Sequence, residues 1–75
     1  MSETKVPGYK RTEERATITY FDHEDGTDES YRVIRTDGQY AIEMRQPNDR
    51  WGVVDTGDCL ATEDAGFILQ QYLGR

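Results

Sequence analysis

Seventy-five residues, with 15 carboxylates against 9 lysines and arginines, make one small acidic domain of net charge −6. A chain of this size buries only about 60% of the surface its unfolded form exposes, and its core supplies about 3–5 kcal/mol of net stability, little with which to hold a strained, dry active site. Cys59 is the only cysteine and His23 the only histidine, so an internal disulfide is excluded and a conventional zinc centre lacks at least two ligands.

The charge is unevenly placed. Residues 1–15 carry +1 (Lys5, Lys10, Arg11 and Arg15 against Glu3, Glu13 and Glu14), which leaves −7 for the other sixty, and after Lys10 every cation is an arginine. Such a body suits a cationic partner or a salt-adapted surface, and it opposes the counterion-driven attraction that holds nucleic acid. No apolar run approaches membrane-spanning length and the stretch MSETKVPGYKRTEER has no apolar middle, so a cytoplasmic location is expected.

In chain order, residues 1–13 combine mixed charge with a Pro7-Gly8 pair and no apolar period, which predicts a flexible tail ahead of a single α+β domain over 14–75. The run ATITYFD alternates as a strand should, and SYRVIRT and QYAIEMR are two further β-rich runs. Asp37-Gly38 between the last two predicts a type I′ hairpin, since both central positions of that turn take positive φ. The turn sets Thr36 against Gln39, Arg35 against Tyr40, Val33 against Ile42, Tyr31 against Met44, Ile34 against Ala41 and Arg32 against Glu43, so apolar residues meet apolar ones.

A second pair, Asp25-Gly26, predicts the same two-residue turn between the first two strands. Tyr20 then faces Tyr31, Ile18 faces Val33, Ala16 faces Arg35, and Asp22 stands opposite Glu29, a destabilising like-charge pair. The expected core face is Ala16, Ile18, Tyr20, Tyr31, Val33, Tyr40, Ile42 and Met44. WGVV adds a short edge strand in which Trp51 lies opposite Arg45 on the outer face or opposite Gln46 on the core face, depending on loop length. TEDAGFILQQYLG predicts a helix with Thr62 as N-cap, Glu63 and Asp64 in its first turn, Gly74 as its stop, and one apolar stripe of Ala65, Ile68, Leu69, Tyr72 and Leu73. The expected architecture is a three- or four-stranded antiparallel meander covered by a C-terminal helix.

The segment YFDHEDGTDESY gathers Asp22, Glu24, Asp25, Asp28 and Glu29 without a basic residue. With Gly26 at the sixth position of an EF-hand loop, the first ligand is Phe21 and the twelfth Arg32, so that motif fails. Five carboxylates in a wet hairpin tip lack the dry cleft that separates the pKa values of an acid and a base. No glycine-rich phosphate loop occurs, and Cys59, with no base in sequence reach, reads as a small semi-buried apolar residue. Neither an enzyme nor a metal or cofactor site is expected.

The remaining reading is an acidic surface for a basic protein partner, formed by Asp22, Glu24, Asp25, Asp28 and Glu29 and extended by Glu63 and Asp64. In size, acidity and lack of catalytic residues the chain is similar to small phage-encoded inhibitors that occupy the cationic nucleic-acid groove of a host defence complex of the restriction or CRISPR type. The alternative is a nucleic-acid module that uses Phe21, Arg32, Ile34, Arg45 and Trp51 on the outer sheet face with Lys10, Arg11 and Arg15 of the tail. A homodimer through the edge strand or the Ile34 face is compatible with the pattern.

Overall fold

The computed structural model describes residues 4–27 and 29–75. Five strands, β1 (Tyr9–Glu14), β2 (Ile18–His23), β3 (Ser30–Thr36), β4 (Gln39–Arg45) and β5 (Trp51–Asp58), precede the single helix α1 (Ala65–Leu73). They form one antiparallel meander in the order β1-β2-β3-β4-β5, and α1 packs against one face of it. The α+β expectation is met, but the strand count is five, not three or four.

The extra strand is β1, which lies in residues expected to be a tail. Its pairing with β2 sets Lys10 opposite Asp22 and Arg11 opposite Phe21, with a bulge between Arg11 and Glu13. Composition hid it because the inward positions are Tyr9 and Arg11, the second a cation that covers apolar surface with its stem. The Arg11 guanidinium stacks 5.2 Å from the centre of the Phe21 ring. Just before the strand, Val6 enters the core and is only 5% exposed.

The β3–β4 hairpin follows the sequence pattern. Asp37 and Gly38 both have positive φ, at 50° and 79°, and all six expected cross-strand pairs are present. The β2–β3 register is shifted by one from expectation: Phe21 faces Tyr31, Thr19 faces Val33, Tyr20 faces Arg32 and Asp22 faces Ser30. Among the described residues of the tip only Gly26 takes a positive φ, 75°, and Asp25 does not, so the turn is not the two-residue type I′ form and the connection carries an odd residue. A one-residue shift exchanges the faces of the whole strand. Phe21 and Thr19 therefore point into the core, at 2% and 3% exposure, while Ile18 and Tyr20 lie on the outer face and Ala16 is exposed ahead of the strand.

The core comprises Val6, Phe21, Tyr31, Val33, Ile42, Ala65, Ile68 and Leu69, with Tyr40, Met44, Tyr72 and Leu73 packed at its margin. The expected helix stripe thus faces the core as one unit, Ala65, Ile68 and Leu69 buried and Tyr72 and Leu73 half-buried, and Cys59 is a half-buried apolar neighbour of the core. The helix begins later than predicted. Its N-cap is Asp64, not Thr62, because the Asp64 carboxylate accepts the Gly66 N–H at 2.8 Å, while Leu60 to Glu63 close a separate turn. Glu63 and Asp64 consequently precede the first helical turn, which holds no acidic residue. Gly74 ends the helix as expected, and no helix is long and apolar enough to cross a membrane.

Candidate partner-binding surface

The connection from β2 to β3 brings Asp22, Glu24, Asp25 and Glu29 to one end of the sheet; Asp28 lies outside the described residues. Its conformation is set by hydrogen bonds, not by charge repulsion. The Asp22 carboxylate accepts the Ser30 hydroxyl at 2.9 Å, and the His23 N–H reaches the Glu29 carbonyl at 3.1 Å. The expected confrontation of Asp22 with Glu29 is absent, since the register places Ser30 opposite Asp22. The Gly26 N–H returns to the His23 carbonyl at 3.2 Å, and the Glu24 N–H donates to the Gly8 carbonyl at 2.8 Å, which fastens the tip to the segment before β1.

Two aromatic residues support this tip from the core side. The Tyr9 ring meets His23 edge-on at 4.8 Å and Tyr31 at 5.6 Å between centroids, and the Tyr9 hydroxyl donates to Glu29 at 2.8 Å. Burial, and then that bond to a carboxylate, push the Tyr9 hydroxyl well above the usual phenol range, so it stays a donor. His23 Nδ1 accepts the Asp25 N–H at 3.1 Å.

Ion pairing divides the described carboxylates into those with an arginine partner and those without, the second group comprising the tip carboxylates and Asp37, Asp58 and Glu63. Glu13, Glu14, Glu43, Asp49, Asp55 and Asp64 each lie within ion-pair distance of an arginine. None of Asp22, Glu24, Asp25 and Glu29 has a lysine or arginine partner among the described residues; Asp25 has only the His23 ring, at 3.6 Å. Most of the arginines are spent elsewhere. Arg11, Arg15, Arg32, Arg45 and Arg75 neutralise the other group, and Arg35 donates to the Glu63 carbonyl.

Glu63 and Asp64 do not join the tip. Arg35, which bonds Glu63, is near the end of β3, whereas the tip leads into its start. Asp64 is committed to the helix start through one oxygen, Oδ2, which accepts from Arg11 at 2.8 Å, Gly66 at 2.8 Å and Thr4 at 3.2 Å. Burial alone raises the pKa of its carboxyl, but the guanidinium and the two N–H groups outweigh burial and hold it below the usual range. Among the described residues no three His, Cys, Asp or Glu side chains are grouped to hold a metal.

The outer sheet face, opposite α1, carries a second cluster. Trp51 pairs with Arg45, which settles its facing as outward; its ring lies 4.5 Å from the Arg32 guanidinium and 5.8 Å from the Tyr20 ring. Arg32 also pairs with Glu43 at 2.5 Å. Tyr20 was missed by the sequence pattern because its facing depends on the β2 register, and Phe21, expected here, is in the core. Comparison with protein-family models, curated proteins and solved structures finds no match to this chain.

Proposed function

We infer that the chain is a small non-catalytic protein-binding domain whose β2–β3 tip engages a basic surface of a partner, and that it blocks a groove built for nucleic acid. The observation that carries this reading is the partition of ion pairs: every described carboxylate of the tip is left without a lysine or arginine partner, while most arginines are neutralised inside the chain. Although Lys10 stands across the ladder from Asp22, no ion pair cancels this charge, which acts over a Debye length of about 8 Å at physiological salt. The hydrogen-bonded tip also presents the carboxylates without a large ordering cost on binding. A cytoplasmic partner that handles nucleic acid, of the kind small phage inhibitors target, has the complementary charge.

The test is a pull-down from extracts of the source organism at low and high salt, with wild type beside Glu24→Lys/Asp25→Lys. A basic protein retained only at low salt, and lost in the double variant because association slows, is the expected result. Capture that survives charge reversal overturns the reading. Recovery of DNA or RNA without a stoichiometric protein transfers the function to the outer face. That alternative has lost ground on geometry, since Phe21 is buried and Arg32 and Arg45 are paired with Glu43 and Asp49.

A further inference from the structure

A meander leaves two open edges, and the two edges of this sheet differ. Along β1, Lys10, Arg11, Glu13 and Glu14 succeed one another, the strand is bulged, and Arg11–Glu14 and Arg15–Glu13 pairs run beside it. Charge and a bulge are the means by which natural sheets keep an edge from adding strands. β5 pairs with β4 alone and contains no lysine, arginine or proline. Its bulge lies near Val54, and beyond it Asp55, Thr56, Gly57 and Asp58 pair regularly with Ile42, Ala41, Tyr40 and Gln39. Val53, ahead of that segment, is 58% exposed.

Charge decides what suits this edge. Asp37, Asp58 and Glu63 are the carboxylates outside the tip that have no lysine or arginine partner among the described residues. They lie near the β3–β4 turn: Gln39 faces Asp58, the Cys59 N–H donates to the Gly38 carbonyl at 2.7 Å, and the Leu60 N–H bonds the Glu63 carboxylate at 3.3 Å. A second copy is a poor occupant, because β5 contains two aspartates and no lysine or arginine, so self-pairing of this edge brings Asp58 no opposite charge. An extended segment bearing lysine or arginine at alternate positions meets Asp58 with opposite charge and supplies backbone groups to the open ladder.

We propose that the outer edge of β5 at Asp55–Asp58 is a strand-addition site for an extended cationic segment of a partner protein. This surface is separate from the β2–β3 tip and does not depend on it.

The experiment uses the full chain, labelled with 15N, and a synthetic peptide alternating lysine and valine. Two further versions of the peptide are N-methylated on its odd or its even residues, which keeps charge and removes backbone donors. The expected result is saturable binding that protects alternate amides within 55–58 from exchange. One methylated version then binds about tenfold or more weakly and the other as the parent does, since only one set of donors faces the ladder. Asp58→Lys weakens the parent peptide. Equal binding by all three peptides overturns the proposal, as does protection confined to Glu24, Asp25 and Glu29, which leaves the tip reading intact. Protection of β5 that rises with protein concentration in the absence of peptide overturns it in favour of self-association, and absence of saturable binding overturns it outright.

Discussion

Arg11 of β1 and Asp64 at the start of α1, 53 positions apart in the chain, meet at 2.8 Å with the Arg11 side chain only 15% exposed. This contact joins the edge strand to the helix cap. Asp64→Ala removes the cap acceptor and one of the two carboxylates that Arg11 bonds among the described residues, and it is expected to cost about 1–3 kcal/mol in urea unfolding. Asp64→Asn keeps a cap oxygen and loses the charge, so it falls between Ala and wild type. Because the folded carboxyl titrates below its unfolded value, its contribution is present above the ordinary carboxylate pKa of about 3.9 and is lost as pH falls through the lower folded value. In Asp64→Asn that part of the acid slope disappears, as unfolding curves at stepped pH will show.

Gly66 offers a test in which the helix scale and the packing disagree. Alanine in place of a helical glycine normally gains about 0.8–1 kcal/mol. Here the added Cβ runs into the Thr4 carbonyl oxygen and comes within 2.8 Å of Asp64 Oδ2 and 3.1 Å of Arg11 Nη2. Gly66→Ala is expected to lower stability by about 1–3 kcal/mol and to speed amide exchange at Thr4, because backbone must move.

The β2–β3 register is checked by neighbouring substitutions. Phe21→Ala empties a fully buried site and should cost about 3–5 kcal/mol, enough to unfold most of a domain this small. Tyr20→Ala removes one edge-on contact with Trp51 and should cost about 1 kcal/mol. The reverse order in thermal or chemical denaturation would restore the register that the Asp25-Gly26 pair suggests.

Arg32→Gln should cost about 1–2 kcal/mol, since it removes both the stack on Trp51 and the pair with Glu43. Trp51 is the only tryptophan, so its fluorescence reports the loss of the cation directly. Glu43→Gln should cost less and leave that stack in place.

The β3–β4 hairpin and the helix stripe were legible because each rests on local chemistry: two positive-φ residues in Asp37-Gly38, and an apolar period of helical spacing. β2 was misread because its facing depends on how a longer connection closes. The His23, Glu24 and Tyr9 hydrogen bonds that close it include partners outside the hairpin. β1 was unreadable by pattern, since Arg11 occupies a core-facing position only by virtue of Phe21 and Asp64. The acidic segment was visible in sequence, but its separation from Glu63 and the commitment of Asp64 to the cap were not. Removal of residues 1–13 would take away Val6 and nearly all of β1, so a loss of nucleic-acid binding in that truncation would not assign the binding to the basic residues there.

Each strand pairs with its neighbour in sequence, so the sheet assembles from short-range steps that close small loops quickly. The junction of Arg11 and Thr4 with Asp64 spans most of the chain, and the entropy of closing so long a loop places it late on the folding route. Weakening that junction therefore leaves the rate of folding almost unchanged and accelerates unfolding. The lifetime of the native state, more than the speed of reaching it, is held where the first strand and the residues before it meet the start of the last element.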